Sequence, residues 1–401
     1  MKNLIFILFL CFSISNIHGQ TKNDIVIGKI ETIESKVLNE QRRILVYVPE
    51  NATHPNYKQK SYPVVYLLDG DAHFYSVVGL IKQLSSVNGN TLCPKMIVVG
   101  ISNTNRTRDL TPTKGERANS GGGENFMSFI KNELIPHIDS NYPTLNFRTF
   151  IGHSLGGLTV MNTLLNQPDL FNAYVAIDPS MWYNNKNLLS KIKTSTFNET
   201  YKNKTLFLGI ANTMHKDMDT IRIKKDTTAS TRHIRAILEL NMFLKDSQEK
   251  HLSFKSKYYE DDDHGSVPLI AEYDALRYIF KFHRFKLHRD DYLNPEVNLV
   301  AKVEAYYKKL SQGFGIEIKP DEEYVNNLGY QLLNNNAFKK SEQIFKLNIK
   351  NYPESFNVYD SIGDLYMAIG DKEKAIENFK KSVFINEKSY SKAKLLELEK
   401  D

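Results

Sequence analysis

Ser154 stands between small residues in Gly152-His153-Ser154-Leu155-Gly156-Gly157, a G-x-S-x-G pattern. A serine hydroxyl attacks an acyl carbon only when a base within hydrogen-bond reach removes its proton. Thr149-Phe150-Ile151 lead into the pattern as strand formers. Leu158, Met161 and Leu165 follow at helical spacing before Pro168 closes the run. Strand, tight turn and helix is the setting of a nucleophile elbow, where helix and strand pass so closely that the flanking residues must be small. The same pattern also fits a Gly-rich turn whose serine caps a helix, so the choice rests on what partners the rest of the chain supplies.

His264 is the candidate base. It follows the strand-like run Ser253 to Tyr259 and the acidic triplet Asp261-Asp262-Asp263, and it precedes a helix marked by Leu269, Tyr273, Leu276 and Phe280. In a fold of this kind the base follows the last strand. Three consecutive carboxylates point in different directions and suit a solvated loop better than one cation. Their charge favours the imidazolium. The acid that orients the imidazole is expected past the strand ending near Ile210. Asp219 is the first choice there, with Asp217 and Asp226 as alternatives and a Ser–His dyad as another. The oxyanion needs two N–H donors. Leu155 at the start of the elbow helix and Asp71 after Gly70 are the candidates. Trp182, the only tryptophan, lies beyond a strand end and is a candidate wall of the substrate pocket. Arg106 and Arg108 are candidates to receive an anionic or catechol-like substrate, with a solvated loop as the alternative. This chemistry requires no metal or cofactor.

The elements that must position these residues are legible as runs. Pro63-Val64-Val65-Tyr66-Leu67-Leu68, Met96 to Ile101, Ala173 to Ile177 and Thr205 to Ile210 are near-continuous apolar stretches, as in strands buried on both faces. Strand-like runs also occur at Ile25–Ile30 and Ile44–Val48. Amphipathic helical segments alternate with the later strands, which predicts a mostly parallel sheet with helices on both faces. Polar residues then collect at the carboxyl ends of the strands: Asp69, Ser102, Ser154, Asp178, the 212–231 loop and His264. The long polar loop from Ser102 to Gly123 is a candidate lid or binding surface.

Met1 to Gly19 read as a secretory signal, with Lys2 ahead of the apolar run Leu4–Ile14. Cleavage is expected before Gln20. Cys11 suggests lipid attachment less well, because Leu10 is bulky. Removal of the leader leaves Cys93 alone, so no internal disulfide staples the mature chain. The apolar run is too short to span a bilayer, and no transmembrane segment is expected in the mature chain. The net charge of +6 over 401 residues comes without a Lys/Arg block, so nucleic acid is not implied, and the 41% hydrophobic content supports a sizeable core. From about Leu293 the chain becomes helical and rich in Lys, Glu and Asn. There Val325-x-x-Leu328-Gly329-x-x-Leu332 aligns at an offset of 34 with Tyr359-x-x-Ile362-Gly363-x-x-Tyr366. Ser341 aligns with Ala375 and Phe345 with Phe379. That period resembles a tetratricopeptide repeat. The helix near Leu299–Leu310, or the one near Ser389–Glu399, is expected to complete the stack.

Together these residues resemble the esterase family of α/β-hydrolases, over about Val26 to Phe282. The family includes enterobactin-type siderophore esterases, S-formylglutathione hydrolase, feruloyl esterases and bacterial mycolyltransferases. The likeness lies in Tyr62 to Gly70, Gly152 to Gly157, Pro179 to Trp182 and His264 to Ser266. It implies an α/β-hydrolase fold with Ser154 as nucleophile and His264 as base. No Gly-Asp or Glu signature follows the 205–210 strand. The expected organisation is a signal at 1–19, an esterase domain at 20–292 and a small all-α tetratricopeptide-like module at 293–401. The expected activity is exported hydrolysis of a small-molecule or glycan ester, such as a siderophore or carbohydrate ester, with a protein partner for the repeats. Acyl transfer to a sugar or lipid is one alternative; a repeat-based binding protein on an idle hydrolase domain is another. Having both Ser154 and His264 argues against idleness.

Overall fold

The computed structural model describes residues 25–49, 60–247 and 251–399. The leader read at Met1–Gly19, with its cleavage point and Cys11, lies outside them. Eight strands form one sheet among the described residues: β1 (Lys29–Ser35), β2 (Glu40–Tyr47), β3 (Tyr62–Leu67), β4 (Ile97–Ile101), β5 (Thr144–His153), β6 (Ala173–Ile177), β7 (Thr205–Ala211) and β8 (Ser253–Tyr259). The order is β1-β2-β4-β3-β5-β6-β7-β8. Pairing is antiparallel from β1 through β2 to β4 and parallel from β4 to β8. This is the α/β-hydrolase arrangement.

The sequence explains the layering. Every residue of β3, β4 and β6 is buried, as apolar runs covered by helices on both faces must be. The edge strand β8 alternates exposed and covered side chains until Tyr259. The run at Ile25–Ile30 is a strand only from Lys29, which pairs with Val46; Ile25 and Val26 lie 94% and 68% exposed outside the ladder. One face of the sheet is covered by helices that include Leu155–Asn166 and Arg232–Asp246. The other is covered by Gly70–Ser85 and Val267–Ile279. Because β3 and β5 to β8 run parallel, the residues after them emerge at one edge, and Asp69, Ser154, Asp178, Asn212 and His264 meet there.

The C-terminal part consists of helices Leu299–Phe314, Glu322–Asn334, Phe338–Asn351, Phe356–Ala368, Lys372–Ile385 and Ser391–Leu398. The offset of 34 reappears as a packing contact. Phe345 lies flat enough on Gly329 that a Cβ there would come within 2.3 Å of its ring, and Phe379 treats Gly363 the same way at 2.4 Å. The helix Leu299–Phe314 joins the core of the sheet. The Phe314 ring sits 5.3 Å from Phe147 and 5.1 Å from Phe282. Each such buried ring contributes about 1.5–3 kcal/mol. Lys60 adds a clamp, with Nζ 3.2 Å from Asp321 and 2.8 Å from Glu323. At the far end Leu395 and Leu398 close the last cluster around Phe379. No helix among the described residues is long and apolar enough to cross a membrane.

Candidate active site

Ser154 occupies the turn between β5 and the helix Leu155–Asn166, with φ 59° and ψ −115°. A non-glycine residue stores roughly 1–3 kcal/mol in such a conformation, and the surroundings hold it there. Its N–H donates to Ile177 O at 3.0 Å, and its carbonyl accepts from Leu158 and Ser180 N–H, each at 3.0 Å. Gly152 is dictated by closeness, since a Cβ there would lie 2.4 Å from the Gly156 carbonyl carbon. That is the physical content of the G-x-S-x-G spacing.

His264 lies in the turn after β8. The Asp263 carboxylate shapes this turn by accepting the N–H groups of Gly265 at 2.8 Å and Ser266 at 2.9 Å. The imidazole Nε2 is 3.2 Å from Ser154 Oγ, and Nδ1 is 2.6 Å from Asp178 Oδ2. With Asp178 ionised, Nδ1 carries the proton and Nε2 is free to accept from the serine hydroxyl.

The carboxylate that meets His264 is therefore Asp178, at the end of β6, and not Asp219. Asp178 is fully buried and has φ 41°. Burial pushes its carboxyl up, but hydrogen bonds from His233 and His264 outweigh that and hold it at about 2. Oδ1 accepts the Ala211 N–H at 3.1 Å, and Oδ2 accepts both His264 and, at 2.7 Å, His233 Nε2. The backbone N–H at the end of β7 thus fills the place where an acid from the 212–231 loop was expected. That loop runs outward, and its carboxylates serve its own turns. Asp219 accepts from Ile221 and Arg222 N–H, Asp217 is exposed with its carbonyl taken by Arg222, and Asp226 accepts from Thr228 and Thr231. The sequence signal for Asp178 was its place at a strand end, one strand earlier than expected. His233 carried no signal beyond lying near the start of a helix.

A pocket of about 180 Å³ opens beside Ser154 and is lined by Leu155, Trp182, Arg106, Arg117 and Arg232, with Glu116 as the acid. Arg232 lies over Trp182, 4.1 Å from the ring centroid, a cation–π contact. Arg106 is paired with Asp69 at 2.7 and 2.9 Å. Arg108 turns away, onto Glu40 and the buried Asp109, and does not line the pocket. Nor does Asp71. It sits in the first turn of Gly70–Ser85 with its carboxylate accepting from Ser102 and Asn103. Gly70 presses on the Gly100 backbone, with a Cβ there only 2.5 Å from the carbonyl carbon; this close approach ties the turn to β4. Leu155, the other expected oxyanion donor, stands next to Ser154 in the first helical turn, where N–H groups have no intrahelical acceptor.

Behind the site lie more titratable groups. The His153 ring lies 4.4 Å from that of His264, tilted by 43°, and burial, then the charge of His264, pushes it down to about 4. Glu272 is 1% exposed beneath His73, and burial pushes it up to about 8. An acid raised in the folded state gives stability that is complete below its unfolded value and is lost as pH rises through about 8. Glu272→Gln is expected to gain thermal stability relative to the native chain as pH goes from 5 to 8.5, by about 1.4 kcal/mol for each pH unit of titration removed. Melting curves across that range check it, and a pH-independent difference would refute it. Asp178, His233 and His264 also place three ligand-type atoms within 4.8 Å of one another. Hydrogen bonds already join those atoms, and a metal would have to displace two N–H protons.

The family model described as Putative esterase matches residues 35–267. The ferri-bacillibactin esterase of Bacillus subtilis is 31% identical over 193 residues, covering 43% of this chain and 66% of that protein, just under two thirds of its length. The siderophore triacetylfusarinine C esterase of Aspergillus fumigatus is 26% identical over 247 residues, covering 55% of this chain and 84% of that one. Among solved structures, an IroE-like serine hydrolase from Shewanella oneidensis superposes with a TM-score of 0.64 at 30% identity, over 80% of this chain and 98% of that one. An uncharacterised protein from Capnocytophaga ochracea shares the fold over 93% of this chain and all of its own, with a TM-score of 0.59 at 17% identity. With the sheet order, the elbow and a match over more than half its length, the chain belongs to the Putative esterase family, carboxylic-ester hydrolases of the α/β-hydrolase fold.

Proposed function

We propose that this chain is an exported serine esterase acting on an anionic ester of the siderophore type, through Ser154, His264 and Asp178. The observation that carries the reading is the unbroken line from Asp178 Oδ2 to His264 Nδ1 and from His264 Nε2 to Ser154 Oγ, opening on a pocket with three arginines. His264 takes the hydroxyl proton as Oγ attacks the ester carbonyl. Asp178 stabilises the imidazolium, and the N–H of Leu155 faces the developing oxyanion. His264 then returns the proton to the leaving alcohol, and water releases the acyl group by the same route. Trp182 offers an aromatic face, and Arg117 and Arg232 offer positive charge to an acid or catecholate. The names of the relatives support a siderophore ester, and the apolar segment Leu4–Ile14 behind Lys2 supports export. Residues 293–401 are read as a tetratricopeptide-like module that presents the enzyme to a protein partner.

The test is hydrolysis of a short p-nitrophenyl ester and of a ferric catecholate trilactone by the mature chain, with Ser154 labelled by a fluorophosphonate and located by mass spectrometry. Turnover of neither ester, or labelling elsewhere, would sink the reading. Arg232→Ala is expected to raise KM for the anionic ester roughly tenfold, the worth of one charge-assisted contact, while leaving KM for the neutral ester within about twofold. Equal effects on both would count against an anion-binding pocket.

A further inference from the structure

Asp178 is held by more than the imidazole it serves. The Ala211 N–H, at the end of β7, takes Oδ1 at 3.1 Å, and His233 Nε2 takes Oδ2 at 2.7 Å. Each carboxylate oxygen thus has a donor from a fixed element before His264 is added, so the plane of the carboxylate is set independently of the base. His233 shares Oδ2 with His264, and the two rings stand perpendicular at 89° with centroids 5.0 Å apart. The first turn of the helix Arg232–Asp246, which carries His233, is itself tied down. Thr231 Oγ1 donates to Asp226 at 2.6 Å, and Arg235 donates to Thr231 Oγ1 at 2.9 Å and to Thr228 O at 2.7 Å.

We infer that His233 is a positioning residue for the reaction: its Nε2–H fixes the Asp178 carboxylate on His264 Nδ1 and keeps that imidazole in the tautomer that accepts from Ser154. The inference rests on the Ser154–His264–Asp178 reading above. Asp178 comes from β6, and a carboxylate buried there with only His264 and one backbone N–H could turn about its last side-chain bond, taking the Nδ1 acceptor with it. In this molecule a second imidazole stops that rotation. His264 can swing between the serine oxygen and the leaving alcohol while its anchor stays still, which is the condition for efficient proton transfer in both steps. An imidazole that merely fills the core would have no need to meet the same oxygen as the base.

The test uses the full mature chain and an activated p-nitrophenyl ester, so that low rates remain measurable. His233→Phe keeps the bulk and removes the donor. It is expected to lower kcat ten- to a hundredfold, the range for one charge-assisted hydrogen bond, with KM within about twofold. His233→Gln places an amide N–H near the position of the imidazole Nε2 and is expected to recover most of the rate, which also separates function from failure to fold. In an Asp178→Ala background His233→Phe should cost less than about twofold more, because two residues acting through one carboxylate are not additive. The inference is overturned if His233→Phe costs the same factor in both backgrounds, if the Gln variant is as slow as the Phe variant, or if the Phe variant turns over like the native chain. A Ser154→Ala variant with the native rate would instead remove the underlying esterase reading, so the two failures are told apart.

Discussion

Ser154→Ala is expected to lower kcat for ester hydrolysis about a million-fold. The hydroxyl is in reach of a base and stands beside a first-turn N–H, with Oγ 3.2 Å from His264 Nε2. Removing such a nucleophile leaves substrate binding and the oxyanion donors in place, which elsewhere preserve a residual roughly 10³–10⁴ over water. Trp182 and the arginines are untouched, so KM or a competitive inhibition constant should hardly move. Steady-state rates on a p-nitrophenyl ester, with inhibitor titration of the alanine variant, read both quantities. A loss below about a hundredfold would mean that another group carries the attack.

Asp178→Asn should cost about 10⁴ in kcat. The amide can turn an N–H towards Nδ1, which then gives up its proton to Nε2, and Nε2–H cannot accept from the serine. Asp219→Asn is the control. Asp219 is surface-exposed, and its carboxylate accepts from the N–H groups of Ile221 and Arg222 and pairs with the Arg222 side chain, so the rate of this variant should stay within about twofold of the native chain. The reverse ranking would restore the acid that strand order suggests. Since Asp178 is held at about 2, it stays ionised throughout the range in which a histidine base works. Loss of rate between pH 7 and 4 will not come from its protonation.

Some of this molecule could be read without coordinates because the causes are local. Residues 63–68, 97–101 and 173–177 are apolar throughout because both sides of those strands are covered, and the pattern says so residue by residue. Ser154 announces itself through glycines that a strand–helix contact requires. The offset of 34 between Gly329 and Gly363 is a contact repeated within neighbouring helices. The acid was misplaced for a geometric reason. Ile177, the last residue of β6, pairs with Gly209 near the end of β7, so the two strand ends lie side by side, and chain order does not distinguish them. The turn that carries Asp71 is set by a close approach of Gly70 to Gly100, from another strand, which the run around it does not record. His233 was invisible because its partner lies 55 residues away. Where the deciding contact joins distant parts of the chain, composition and period carry no trace of it.

The way Phe314 is sunk among Phe147, Phe280 and Phe282 gives the C-terminal helices a mechanical meaning. They are not a tethered flag that samples its surroundings but a bracket bolted to the catalytic body. Phe147 lies near the start of β5 and Lys60 just before β3, so the bracket grips the sheet at the edge opposite the one that carries Ser154.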